Sequence, residues 1–137
     1  MELTYRQKQL HQQALNVVAK YFEAEAQLID ILHQVEESKL YRRLNQRSLF
    51  KYATNILKLS ESVAYSFITV SRKANQVPQL KTAIAEKIIS VSKANKIVAH
   101  LTKENADELI QLTSKKSARE VEAEMARRYP NHPGRNA

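Results

Sequence analysis

The sequence predicts an all-α protein, in which a long N-terminal helix precedes a bundle of about five or six short helices, including a helix-turn-helix-like pair. The first reason is that the only glycine of the 137 residues is Gly134, and tight β-hairpins depend on glycine-containing turns. The second is the abundance of Ala, Leu, Lys, Gln and Glu, which are strong helix formers. The third is that apolar residues recur every three or four positions, which is the spacing of one helix face.

The first 38 residues are predicted to form one long amphipathic helix. Its apolar residues alternate steps of four and three, and they are Leu10, Ala14, Val17, Tyr21, Ala24, Leu28, Ile31 and Val35. A second stripe runs beside them and contains Leu15, Val18, Phe22, Ile29 and Leu32. The broad face favours packing within a bundle or between subunits, with a possible homodimer through residues 3–36, whereas a protruding coiled coil is the alternative. The polar residues Glu36, Glu37 and Ser38 predict that the helix ends or bends there.

Short helices follow, each with a recognisable start signal, and together they define a second region over residues 39–129. Ser48 and Ser60 precede helices of about residues 48–57 and 60–75. Pro78 begins a helix of about residues 78–87, and Ser90 or Ser92 begins one that reaches about His100. Thr102 is expected to cap residues 103 to about 113. Ser117 and Glu120 match a capping box, and that last helix is stopped by Pro130, which leaves residues 130–137 as a flexible tail.

The net charge of +8 is concentrated in the middle of the chain. Residues 1–46 hold six basic and six acidic side chains, and residues 101–137 hold seven and six. Residues 47–100 hold nine basic side chains against two acidic ones. A basic block between balanced neighbours indicates a polyanionic partner, and nucleic acid is a common one.

Within this block, the helices 48–57 and 60–74 are joined closely enough to form a helix-turn-helix. Val63, Phe67, Val70 and Ala74 are predicted to be the buried stripe of the second helix. The opposite side is predicted to be a recognition face, because hydroxyl groups can bind phosphates or base edges and arginine can grip guanine. Its residues are Ser62, Tyr65, Ser66, Thr69, Arg72 and Lys73. Phosphate contacts are predicted from flanking cations, namely Arg47, Lys51, Lys58, Lys93 and Lys96.

Several classes of function are disfavoured by the composition. The chain has no cysteine, which removes disulfides and thiolate chemistry, and it has no glycine-rich phosphate loop. No signal peptide or apolar run of membrane-spanning length is present. We therefore expect a soluble, cytoplasmic protein with no cofactor, no metal, no membrane partner and no small-molecule substrate.

The order and spacing of several short motifs resemble the helical N-terminal region that precedes the nuclease domain in bacterial HNH endonuclease-like proteins. The matching pieces are Leu49-Phe50-Lys51-Tyr52, Leu59-Ser60-Glu61-Ser62, Ser71-Arg72-Lys73-Ala74, His100-Leu101-Thr102-Lys103-Glu104-Asn105 and Lys116-Ser117-Ala118-Arg119-Glu120. The likeness covers roughly residues 28–130. A weaker similarity, over residues 48–110, is to the helix-turn-helix region of ParB-like DNA-binding proteins.

Both resemblances imply double-stranded DNA as the partner, and a place on the bacterial nucleoid. They imply no catalysis, because the chain stops about where the nuclease domain would begin, and Asn131-His132 with Asn136 is only a superficial echo of its motif. One departure is Glu86-Lys87-Ile88, where the family tends to have a glycine, so the preceding helix is expected to run on. A DNA-binding module without its own chemistry is the leading hypothesis, either as the targeting part of an HNH endonuclease-like protein or as a stand-alone protein. A protein-interaction or oligomerisation domain is the alternative.

Overall fold

The first helix of the computed structural model, which describes residues 1–130, confirms the predicted long N-terminal element. Helix α1 spans Tyr5–Ser38 and begins at a capping box, in which the side chains of Thr4 and Gln7 each accept a hydrogen bond from the other's backbone N–H. It ends where Lys39 adopts a left-handed conformation at φ 58°. Residues 1–20 contain no buried side chain. Only the second half of α1 is therefore part of the packed body.

The remaining elements within residues 1–130 are all helical, which confirms the predicted fold class. They are α2 (Leu40–Arg43), α3 (Leu49–Lys51) with a π-helix (Tyr52–Ile56), α4 (Glu61–Gln76), α5 (Pro78–Ala85), α6 (Val91–Ala94), α7 (Ala106–Lys115) and α8 (Ala118–Arg128). Four predicted helix starts carry the expected caps, at Ser48, Ser60, Ser90 and Ser117. Each serine oxygen accepts a backbone N–H that would otherwise lack a partner.

Two helices differ from the predictions, and in the first case side chains stabilise a turn instead. Residues 102–105 form a turn in which Asn105 Oδ1 accepts from Thr102 N at 2.8 Å and Thr102 Oγ1 accepts from Asn105 N at 3.2 Å. Helix α7 therefore begins at Ala106, and Thr102 caps this turn rather than a helix. Helix α6 has only four residues, and residues 95–100 continue as turns rather than as a helix to His100.

Two clusters of buried apolar residues hold the body together. The larger joins helices α4 to α8 around side chains such as Leu80, Ile97, Leu101, Leu109 and Val121, and it includes Ile29 of α1. The smaller joins the end of α1 to α3, the π-helix and α4, and it consists of Leu32, Val35, Leu49, Tyr52, Ala53, Ala64 and Ile68. The smaller cluster therefore fixes residues 49–53 against α1 and α4.

The expected continuation of α5 through residue 87 is wrong. Helix α5 ends at Ala85, and Lys87 takes a left-handed φ of 64°. Glycine is the residue that reaches this conformation without a steric penalty from Cβ. The helix therefore ends at a left-handed residue, as it would at a glycine, but here a lysine takes the strained conformation.

We expect Lys87→Gly to be more stable than Lys87→Ala by about 1 kcal/mol, because only glycine relieves the left-handed strain. Both variants lose the exposed Lys87–Glu23 ion pair, whose nitrogen and oxygen are 3.8 Å apart, so the comparison isolates the backbone. The free energy of unfolding in urea measures the difference. An alanine variant as stable as the glycine variant would show that the backbone at this position is unstrained.

Candidate nucleic-acid interface

Helix α4 is the second helix of the predicted helix-turn-helix pair, and its buried face differs from the predicted stripe. Val70 and Ala74 are buried as predicted, but Val63 is 41% exposed, so its assignment to the core is wrong. Ala64, Ile68 and Ser71 are buried as well. The buried face of α4 is turned from the predicted stripe toward Ala64 and Ile68, because α1 packs along this side of α4. The hydroxyl of Ser71 donates to the carbonyl oxygen of Ile29 at 2.8 Å, which ties the two helices together.

Two predicted contact residues on α4, Arg72 and Lys73, already have partners within the protein. The Arg72 guanidinium forms an ion pair with the Glu36 carboxylate of α1 at 2.6 Å, and the hydrogen bonds to Glu36 raise the pKa of Arg72. Lys73 Nζ donates to the carbonyl oxygen of Leu101 at 3.3 Å. Both cations therefore stabilise contacts between elements of the body.

The four uncharged residues of the predicted recognition face differ in how exposed they are to solvent. Ser62 and Tyr65 are exposed near the start of α4. Ser66 is half-buried in a groove beside α1. Thr69 is half-buried in a cleft of about 510 Å³ that Tyr65 and Lys73 also line. The structure thus leaves only the N-terminal part of this face openly accessible.

Most other cations of the basic block are also paired inside the body. Lys96 lies 2.9 Å from Glu122, and Lys93 Nζ donates to the carbonyl oxygen of Thr113 at 3.5 Å. Lys81 pairs with Asp30 at 3.2 Å, and this hydrogen bond lowers the pKa of the Asp30 carboxyl. These interactions connect distant parts of the chain, so much of the block's charge is balanced within the fold.

Three of the predicted phosphate contacts, Arg47, Lys51 and Lys58, are exposed and form no ion pair with any residue of the range 1–130. They continue a run that begins at Lys39, because residues 38–60 contain six basic and no acidic side chains. All six are exposed and have no ion pair within the described residues. We call residues 39–58 the basic segment, whose cations are Lys39, Arg42, Arg43, Arg47, Lys51 and Lys58.

The basic segment is held in a defined shape by its own local structure. Its chain reverses through left-handed residues at Lys39, Asn45 and Lys58. The Asn55 side-chain amide donates to Gln46 Oε1 at 3.0 Å, which joins the loop to the π-helix. Short π-helices are rare and are frequently found at functional sites. Because Tyr52 and Ala53 are buried in the smaller cluster, the cations of the segment are presented from an anchored backbone.

Sequence reasoning missed Lys39, Arg42 and Arg43. When residues 1–46 are counted together, these three cations are balanced by acidic residues of α1, and the net charge of that part is zero. The signal that would have found them is the density of cations between consecutive acidic residues, which is six in residues 38–60 and only three in the similarly long residues 62–85. Counting from one acidic residue to the next would have placed the centre of positive charge nearer to residue 47.

No protein-family model, curated protein or solved structure matches the chain. The resemblance to the region that precedes HNH nuclease domains therefore stays a prediction. Within residues 1–130, no group of three or more His, Asp and Glu side chains lies close enough together to hold a metal ion. The same range contains no helix long and apolar enough to cross a membrane. The echo at Asn131, His132 and Asn136 lies outside the described residues.

Proposed function

We propose that this protein is a DNA-binding helical module without catalysis of its own, and that the basic segment is its main contact with the phosphate backbone. The observation that carries the proposal is the contrast among the cations. Those on α4, on α5, on α6 and just after α6 are paired with carboxylates or carbonyl groups. The six cations of residues 39–58 have no such pairs in the described part of the chain.

Unneutralised charge at this density destabilises a protein through self-repulsion unless a partner supplies counter-charge. The acids that flank the segment, Glu36, Glu37 and Glu61, form no ion pair with its cations within residues 1–130, and Glu36 pairs instead with Arg72. A nucleic acid offers regularly spaced phosphates to such a surface, and binding releases the counterions condensed on them. The basic segment therefore has the charge pattern of a phosphate-binding surface.

Duplex DNA is favoured among polyanions by the groups that surround the cations. The turn after Lys58 leads directly to the exposed start of α4, where Ser62 and Tyr65 carry hydroxyl groups. Asn45 and Gln46 lie in the loop between α2 and α3. Hydroxyl and amide side chains commonly supplement arginine and lysine in contacts to phosphate and sugar. The resemblance to DNA-associated helical regions points to the same partner, and such binding would place the protein on the nucleoid.

A salt titration tests this function directly. With about six phosphate contacts, affinity for a labelled duplex is expected to fall roughly 10³-fold between about 50 and 200 mM salt. Fluorescence anisotropy at a series of salt concentrations gives the slope of log affinity against log salt. Absence of binding at 50 mM, or affinity that does not respond to salt, would contradict a phosphate-binding surface.

A second candidate function, protein interaction or oligomerisation, is favoured by a different observation. The first half of α1 exposes large apolar residues, among them Leu10 and Val17, outside the packed body. Apolar side chains in a row on a projecting helix are typical of a surface that another helix covers. The two functions involve separate parts of the chain and are compatible.

A further inference from the structure

The N-terminal half of α1 projects from the body as a free helix, and we call residues 3–20 the arm. No side chain of residues 1–20 is buried, whereas Glu25, Ile29, Leu32 and Val35 of the second half are buried. The arm extends by about 25 Å at 1.5 Å per residue. A helix of this length is marginal in water without tertiary contacts. Its stability therefore benefits from a partner.

An apolar stripe runs along one side of the arm. Leu10 and Val17 are seven residues apart on α1 and are 64% and 65% exposed, and Tyr21 continues the stripe at 59% exposure. Leu3, just before the helix, is 50% exposed. Residues seven apart lie on nearly the same side of a helix. The stripe is therefore continuous from the tip of the arm to the point where α1 meets the body.

At that point the stripe enters an apolar groove between α1 and α4. The groove has a volume of about 430 Å³, and the residues that shape it include Tyr21, Ala24, Leu28, Leu59, Val63 and Phe67. Val63 of α4, exposed against the sequence prediction, forms part of its wall. The arm and the groove thus form one apolar surface, half on a free helix and half on the body.

We propose that a second copy of this chain covers this surface as an antiparallel partner, with each arm lying in the groove of the other subunit and the two helices crossing near Val17. The antiparallel direction follows from where the apolar surface lies. In a parallel pair, arm would face arm and both grooves would stay open. In the antiparallel pair, a two-fold axis places each arm over the other subunit's groove, which makes the interface self-complementary.

The charges of α1 favour the same direction. The arm carries the cations Arg6, Lys8 and Lys20, whereas residues 21–38 carry five acidic and no basic side chains. This gradient opposes the helix macrodipole, which favours acids at the N-terminus and cations at the C-terminus. A parallel pair would place like charges side by side, whereas an antiparallel pair places the basic arm beside the acidic half of its partner.

One acidic group of the groove is especially suited to this arrangement. Glu25 is buried and has no cationic partner within the described residues, although the Tyr21 hydroxyl hydrogen-bonds to it. With the crossing at Val17, the partner's residue 9 lies opposite Glu25, so Lys8 and Arg6 fall within one turn of it. Glu23 and Asp30 should attract the partner's cations less strongly, because they already form ion pairs with Lys87 and Lys81.

The area available is sufficient for a specific interface. Eight large apolar side chains between residues 3 and 31 are more than 40% exposed, and they are Leu3, Tyr5, Leu10, Leu15, Val17, Val18, Tyr21 and Ile31. Those on the covered side, with the groove walls, would bury on the order of 500 Å² per subunit. Two subunits together would bury about 1,000 Å², which is the minimum expected of a biological interface.

The first experiment measures the mass of the 137-residue chain in solution without DNA, so its result is independent of the DNA-binding proposal. Sedimentation is expected to show a dimer at micromolar concentration. The double variant Leu10→Glu with Val17→Glu should weaken the dimer at least 100-fold. The matched control, Gln12→Glu with Asn16→Glu, adds the same charge on the opposite side of the arm and should leave the dimer unchanged. A monomeric wild-type protein at 100 μM would overturn the proposal.

The second experiment determines the direction of pairing and uses the absence of cysteine from the sequence. Single variants Leu10→Cys, Val17→Cys and Ala24→Cys are oxidised separately and separated on a non-reducing gel. In the antiparallel pair only Val17→Cys should form a disulfide-linked dimer, because residues 10 and 24 lie about 20 Å from their mates along the axis, beyond the Cα separation of about 7 Å that a disulfide allows. Cross-linking of all three would show a parallel pair and overturn the proposal.

Discussion

Replacement of Arg42, Arg43 and Arg47 by glutamate is expected to weaken binding to duplex DNA by about three orders of magnitude at 100 mM salt. Each phosphate contact contributes close to one unit to the slope of log affinity against log salt, and therefore about a factor of ten in affinity at this concentration. Reversal adds repulsion to the loss of three contacts. All three arginines are exposed and form no ion pair within residues 1–130, so the fold should tolerate the change.

The matched control reverses three other exposed cations, Lys103, Lys115 and Arg119. Both triple variants change the net charge by the same amount, so a difference between them reports position rather than total charge. The control is expected to lose less than one order of magnitude, and thermal unfolding verifies that both variants are folded. Equal loss in the two variants would show that binding depends on overall charge, which would contradict the assignment to the basic segment.

Helix α4 supplies a further contrast between the sequence hypothesis and the structure. The sequence assigns DNA contact to Arg72 and Lys73, but the structure gives Arg72 an ion pair with Glu36 and Lys73 a carbonyl acceptor at Leu101. The mutations in the basic segment can therefore separate a phosphate-binding surface centred on residues 39–58 from a recognition face on α4. Ser62 and Tyr65 remain accessible beside the segment in either case.

The helices and many of their starting points could be predicted from sequence because their signals are local. A serine that caps a helix acts on a backbone N–H three residues away, as Ser117 does on Glu120. The end of α1 near residue 38 was likewise visible in its polar residues. A local interaction also explains why the predicted start of α7 at residue 103 is wrong. Thr102 and Asn105 hydrogen-bond to each other in a turn, and the helix begins only at Ala106.

The candidate site was harder to predict because residues far away in the chain decide whether a cation has an ion-pair partner. Arg72 pairs with a carboxylate 36 positions earlier, and Lys81 pairs with one 51 positions earlier. Arg72 and Lys81 lie in an acid-free stretch, residues 62–85, just as Arg47 and Lys51 lie in residues 38–60. The sequence near each cation therefore does not show that the first two have ion pairs and the last two have none within residues 1–130. The exposure of Val63 has the same origin, because the packing of α1 decides which side of α4 is covered.

Leu32 belongs to the smaller core cluster, which also contains residues 49, 52 and 53 of the basic segment. The cluster therefore contributes to the stability of the protein and holds the basic segment in place. The Leu32 side chain is fully buried in a cluster with Leu49, Tyr52 and Ala53. Its truncation to alanine removes apolar contacts and leaves a cavity, and buried leucines lose about 2–5 kcal/mol in this way. That loss is a large fraction of the roughly 5–15 kcal/mol that stabilises a domain.

Leu32→Ala is therefore expected to lower the free energy of unfolding by about 2–5 kcal/mol, whereas Leu15→Ala should change it by less than about 1 kcal/mol. The two leucines lie on the same helix, but Leu15 is 51% exposed and Leu32 is 0% exposed. Urea unfolding measures both values. Under conditions where Leu32→Ala is folded, its DNA affinity should keep the wild-type salt slope, because its cations are unchanged. Equal destabilisation of the two variants would contradict the separation of α1 into a free arm and a packed half.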